Sequence, residues 1–170
     1  MKANPGTGSV KNESVLPVFQ QHDVPEAIRG LSAIADSDYV DVFTLVTSDA
    51  SARTPEQWAR AAFEDAAALQ GQFVWRVLLG LRLQRRPSRV AGWKIADRGG
   101  DWIRLEARSW MLTGHLVILV EDEQVSLATA VRYDRPTAAR VWTPLSAIHR
   151  RLAPSLLRDA YKAVRQAGPR

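Results

Sequence analysis

An α+β fold is predicted for this chain, on three observations. From Val90 to Tyr133 the apolar residues change sides every second position, in runs separated by turn-like clusters, which is the pattern of an antiparallel meander. One more strand pattern, at 38–47, stands well upstream, with helical patterns in between. The chain then closes on AARVWTPLSAIHRRLAPSLLRDAYKAVRQ (138–166), a long amphipathic helix. A sheet with one apolar face needs a cover, and only this last helix is long enough to supply it.

In order along the chain, residues 1–20 are polar at their start and are expected to form a disordered arm, with a single domain over 21–166. PEAIRGLSAIA (25–35) suits a short helix. The stretch 38–47 is a strand, with Val40, Val42, Thr44 and Val46 on one face and Tyr39, Asp41, Phe43 and Leu45 on the other. Thr54-Pro55-Glu56-Gln57 is a helix start: a threonine cap, proline at the first helical position, and a glutamine that completes a capping box. Trp58, Ala62, Ala66 and Leu69 give that helix one stripe, and Gly71 ends it. Phe73 to Leu83 is apolar on most sides and reads as buried.

Trp93 to Asp97 is a strand, and Arg98-Gly99-Gly100-Asp101 a hairpin turn. Residues 102–110 alternate, with Ile103, Leu105, Ala107 and Ser109 on one face. Residues 115–121 form a further strand, the acidic run 121–124 a turn, and 125–133 a last strand carrying Val125, Leu127, Thr129, Val131 and Tyr133 together. Asp134-Arg135-Pro136 stops the sheet.

Composition bounds the function. With 170 residues, 46% hydrophobic and 24% charged, the chain has the profile of an ordinary one-core globular domain. It has no cysteine, so disulfides, thiolate catalysis and cysteine-based zinc sites are excluded. The longest apolar run, Leu116 to Val120, is strand-sized, so no transmembrane segment is expected; with no signal-peptide core either, a cytoplasmic location is. Nineteen arginines stand against four lysines, a bias that fits a bacterial source. The net charge of +5 is local. Arg140, Arg150, Arg151, Arg158, Lys162 and Arg165 against Asp159 give the segment 138–166 that whole value and leave the remainder neutral. No basic-aromatic platform accompanies it, so no specific nucleic acid is expected as a partner. Gly6-Thr7-Gly8 opens a G-x-G but has Lys11 where the third glycine belongs and no strand before it, so no dinucleotide cofactor is expected. The histidines, His22, His115 and His149, have no ligand-like spacing, and no metal is expected.

The order of elements resembles the helix-grip fold of the START-like superfamily, also called SRPBCC, which includes lipid carriers, plant pathogenesis-related proteins and polyketide cyclases. More closely it resembles an uncharacterised bacterial family of this type, sometimes found behind short-chain-dehydrogenase-like domains, although no such domain is expected ahead of this one. The stretches that carry the likeness are DYVDVF (38–43), TPEQWARAAF (54–63), AGWKI (91–95), TAVRY (129–133) and VWTPLSAIHRRLAPSLLR (141–158). The resemblance implies a curved antiparallel sheet gripping the C-terminal helix, with a small hydrophobic molecule or lipid held between them.

Placed at about 100° per residue, Val141, Leu145, Ile148, Leu152, Leu156 and Ala163 share one side of the last helix, with His149 inside the stripe and the arginines nearly opposite. Pro144 and Pro154 fall within it; Pro144 alternatively marks the true start, capped by Thr143, and Pro154 is expected to bend it. A membrane-surface helix has the same pattern, but the sheet is expected to claim the apolar side. The expected ligand-binding residues are Trp93, Ile103, Leu105, Ala107, Leu127, Thr129, Val131 and Tyr133 from the sheet and Leu145, Ile148, His149 and Leu152 from the helix. His149 reads first as a packed core histidine, second as a polar anchor in a cavity, third as a general base. Three functions follow in that spirit: a non-enzymatic module binding a small apolar ligand; a cyclase- or hydratase-type enzyme in the same cavity, with His149 as acid/base assisted by Asp41 or an arginine; and an interaction domain with a filled core.

Overall fold

The computed structural model describes residues 16–66, 79–83, 86 and 88–167. Among them the strands are β1 (Val18–Gln21), β2 (Tyr39–Val46), β3 (Arg89–Val90), β4 (Trp93–Arg98), β5 (Trp102–Arg108), β6 (Leu112–Glu121) and β7 (Gln124–Tyr133). They form one sheet in the order β1-β2-β7-β6-β5-β4-β3, with every neighbouring pair antiparallel. The chain is therefore α+β: a curved open antiparallel sheet with a long C-terminal helix laid across it, the helix-grip arrangement.

The turns follow from local chemistry. β3 and β4 are joined through Ala91 and Gly92, both at positive φ (50° and 92°), as a tight two-residue hairpin requires. Gly99 and Gly100 turn β4 into β5, and Asp122 and Glu123 turn β6 into β7. A register shift between Ile95 and Asp97 bulges β4 against β5, which adds local twist.

Alternation sends one set of side chains to each face. On the inner face Phe43, Leu45, Ile103, Leu105, Leu116, Ile118, Val125 and Leu127 join one core cluster. On the outer face Val42, Val117, Leu119, Ala128 and Ala130 meet Ile28 and Ile34 from two short helices, α1 (Glu26–Arg29) and α2 (Ser32–Ala35). Covered on both sides, β6 and β7 are buried along nearly their whole length.

α3 (Pro55–Arg60) begins at the expected capping box. The Thr54 hydroxyl accepts from the Gln57 amide at 3.2 Å, and the Gln57 side chain accepts from the Thr54 amide at 2.9 Å. Wider, π-type turns continue it over Ala61–Ala66. Leu69, Gly71 and residues 73–78 of the run from Phe73 to Leu83 lie outside the described residues; of the remainder, Leu79 and Leu81 are buried as expected and Leu83 is half-buried.

α4 (Pro136–Gln166) runs unbroken through Pro144 and Pro154, with Pro136 rather than Pro144 in its first turn. Pro136 costs little there because that N–H would be unsatisfied anyway. The two inner prolines release the carbonyls of Arg140 and Arg150, and both residues are exposed, where water can serve those oxygens.

Three details depart from the sequence reading. β1 pairs Val18 with Leu45 and Gln21 with Val42, so the end of the stretch expected as an arm is tied to the sheet edge. β6 starts at Leu112, earlier than expected, because Thr113 and Gly114 continue the ladder with β5 and β7. The third concerns the face of α4. The side turned inward carries Ala138, Trp142, Ser146, Ala153, Leu157, Ala160, Tyr161 and Val164. Ile148 and Leu152, expected to point at the sheet, are 50% and 49% exposed. The helix is turned roughly a quarter-turn, about 90°, from the Leu/Ile stripe. Trp142 and Tyr161 each bury more surface than an aliphatic residue, and the alanines between them let the helix approach closely.

Candidate functional site

The polar groups of the inner face converge where β2, β7 and the first half of α4 meet. Asp41 comes from β2, and its side chain is 2% exposed. Strand alternation points it toward α4 in the same row as Tyr39 and Phe43, and strand pairing sets Thr129 of β7 directly across from it. From α4, Trp142, Ser146, His149 and Arg150 lie on successive turns of the side facing that row.

Two hydrogen bonds hold the Asp41 carboxylate. The Tyr39 hydroxyl donates to Oδ2 at 2.6 Å, and His149 Nε2 lies 3.3 Å from Oδ1. A carboxylate only accepts, so Nε2 is the donor in this contact. Burial, followed by the hydrogen bond and charge of Asp41, holds the Tyr39 hydroxyl well above its ordinary 10, so it remains a donor. Arg150 Nη1 donates to the Tyr39 oxygen at 3.2 Å and to Ser146 Oγ at 3.3 Å, and Ser146 donates onward to the Thr143 carbonyl at 2.8 Å. Aromatic rings wall the pair: Trp142 meets Tyr39 edge-on at 5.3 Å and lies 5.8 Å from His149, and Phe43 meets His149 edge-on at 6.4 Å.

Beside this satisfied network are two polar atoms that find no hydrogen-bond partner among the described residues, Thr129 Oγ1 and Trp142 Nε1. Thr129 is 5% and Trp142 4% exposed. An indole N–H can only donate, while a hydroxyl can do either. The arrangement thus offers two buried donors next to a carboxylate–imidazole pair, with apolar surface around them. Such a site can hold the polar end of an apolar molecule, and Nδ1 of His149, its partner nitrogen fixed by Asp41, has the arrangement of a general base.

Of the residues expected at the site, Trp93, Ile103, Leu105, Ala107, Leu127 and Val131 lie in the inner core cluster, with Tyr133 and Leu145 packed at its margin. Thr129 and His149 belong to the polar cluster described above. Ile148 and Leu152 do not join them: they stand on the outward side of α4. Sequence reasoning missed Trp142, Tyr39 and Ser146. Trp142 precedes His149 by seven residues, two helical turns, and that spacing was the available signal. No protein-family model matches the chain, and no curated protein or solved structure does.

A second histidine sits on the other face of the sheet. His115 is 4% exposed and stands across from Glu106 in the β5–β6 pairing. Arg104 Nη1 lies 3.3 Å from His115 Nδ1. A guanidinium only donates, so Nδ1 accepts and the ring is neutral in this contact. Burial pulls this imidazole below its ordinary 6.5; Glu106 opposes that shift, and Arg104, Arg132 and Arg108 reinforce it. The folded protein therefore resists a proton that the unfolded chain takes up. The stability this contributes is complete above about pH 6.5 and is lost as the pH falls below that value toward the folded-state pKa. Between urea midpoints measured above and below pH 6.5, wild type should lose more stability than His115→Gln. Equal losses would contradict this account of His115.

Proposed function

We propose that the protein binds a small, mostly apolar molecule or lipid between the sheet and α4, with the molecule's polar end at Thr129 and Trp142 beside Asp41 and His149. One observation carries the reading: two buried polar atoms without a hydrogen-bond partner among the described residues, Thr129 Oγ1 on the strand across from Asp41 and Trp142 Nε1 on the helix beside His149. Leaving a buried donor unpaired costs about 1–3 kcal/mol, and native proteins leave few. A ligand oxygen would relieve both. Ligand sites are usually of this kind, an apolar surround with a few placed polar groups. Kinship with the START-like superfamily belongs to the same proposal and is supported by the order of elements.

A second reading is an acid–base enzyme of cyclase or hydratase type at this site. The Asp41–His149 contact favours it, because it supplies the orienting carboxylate a histidine base needs.

Thr129→Val and Trp142→Phe test the binding reading. Each removes the unpartnered atom with little change of shape. Each variant, stripped of ligand, should therefore be more stable than wild type by roughly 1 kcal/mol. Each should also bind an apolar fluorescent dye, or the ligand retained in native mass spectra of protein from its own host, about five- to tenfold more weakly, the value of one hydrogen bond. Destabilised variants, together with no dye or ligand binding by wild type, would leave a filled core and end the proposal. A ligand recovered chemically unchanged after long incubation would remove the second reading.

A further inference from the structure

We propose that the outward side of α4 docks on an anionic lipid surface, lying in its plane. This stands apart from the ligand reading, since it uses the side of the helix about a quarter-turn from the inward face. The rotation of α4 carries it. The sheet takes the side bearing Trp142, Leu157 and Tyr161, so the Leu/Ile row is left over. Ile148 and Leu152 are about half exposed, and half-buried Leu145 and Leu156 extend the row at both ends, over roughly 16 Å of helix. Single exposed aliphatic residues are ordinary; here they form a continuous row on one element.

Charge identifies the occupant. α4 carries six cations and one acid, a net +5 that equals the charge of the whole chain. Arg140 and Arg151, on the exposed flank of the row, have no acidic partner among the described residues. Lys162 is paired with Asp159 at 3.1 Å, and Arg158 donates to the Leu16 carbonyl. A second copy packed on this row would set the unpaired arginines against their like. An anionic headgroup layer matches them, and its deformable acyl boundary accepts the convex crown of a helix where a protein partner would need a fitted groove. No helix among the described residues is long and apolar enough to cross a membrane, in keeping with a helix that lies on the surface.

The test is sedimentation of the full chain with vesicles of phosphatidylcholine containing one-third phosphatidylserine, against vesicles of phosphatidylcholine alone. Wild type should co-sediment with the anionic vesicles, and less so as salt is raised. Ile148→Ser with Leu152→Ser should weaken that partitioning about tenfold or more, at an unchanged melting temperature, because both positions are outside the core. Arg140→Gln with Arg151→Gln should also weaken it about tenfold. No sedimentation of wild type, equal sedimentation of either double variant, or equal binding to both kinds of vesicle would overturn the proposal. So would a concentration-dependent dimer abolished by Ile148→Ser and Leu152→Ser, which would assign the row to a second copy.

Discussion

A chain truncated by deletion of residues 138–170 should unfold without a cooperative transition. The deletion removes Trp142, Leu157, Tyr161 and Val164 from the inner core, all of them 9% exposed or less. Each fully buried large side chain contributes about 1.5–3 kcal/mol relative to an exposed one. Four of them amount to roughly 6–12 kcal/mol, which spans most of the stability of a typical domain, about 5–15 kcal/mol. The loss is compounded on the other partner, because Phe43, Leu45 and Leu127 would meet water. The β4–β7 meander has local hairpins and can retain some strand content, so far-ultraviolet circular dichroism alone is a poor probe here. The decisive measurement is the calorimetric transition and the near-ultraviolet aromatic signal. A sharp calorimetric peak in the truncated chain would mean that α4 does not hold the sheet's inner face together.

The meander was legible because period two admits no compromise: a slip of one residue would send Ile103, Leu105 and Ala107 outward together. The start of α3 was legible because Thr54 and Gln57 act within one turn, and local chemistry suffices there. The face of α4 was not legible from a count of leucines and isoleucines. Two apolar arcs lie side by side on this helix, and the choice between them was made by Trp142 against Tyr39 and Tyr161 against Trp58, contacts that no local window contains. The same holds for the site. Asp41 and His149 are 108 residues apart, and Asp41 faces Thr129 only because the edge of β2 away from β1 pairs with β7, the last strand. Edge strand β1 was overlooked because four residues ending in Gln20-Gln21 make a faint alternation; the ladder with β2, and the Gln21 amide donating to Thr44 at 2.7 Å, hold it.

Trp58→Ala should cost about 3–5 kcal/mol, the usual range for deleting a buried tryptophan. Trp58 is 1% exposed, and its indole N–H donates to the buried Ala50 carbonyl at 3.0 Å. Its ring stacks on Tyr161 of α4, with centroids 6.4 Å apart and planes 17° from parallel. Three losses therefore coincide in the alanine variant: the buried ring area, the stack, and a carbonyl left dry and unpaired. Trp58→Phe separates them. It keeps most of the ring and loses the N–H, so it should cost about 1–3 kcal/mol, the penalty of the orphaned carbonyl. A double-mutant cycle with Tyr161→Leu isolates the stack, with an expected coupling of about 0.5–1.5 kcal/mol. The consequence reaches the site, because this stack anchors the second half of the helix whose first half carries Trp142 and His149. Urea denaturation gives each of these stabilities. A Trp58→Ala cost below about 1 kcal/mol, the level of an ordinary surface change, would show that the contact between α3 and α4 is not what fixes the grip.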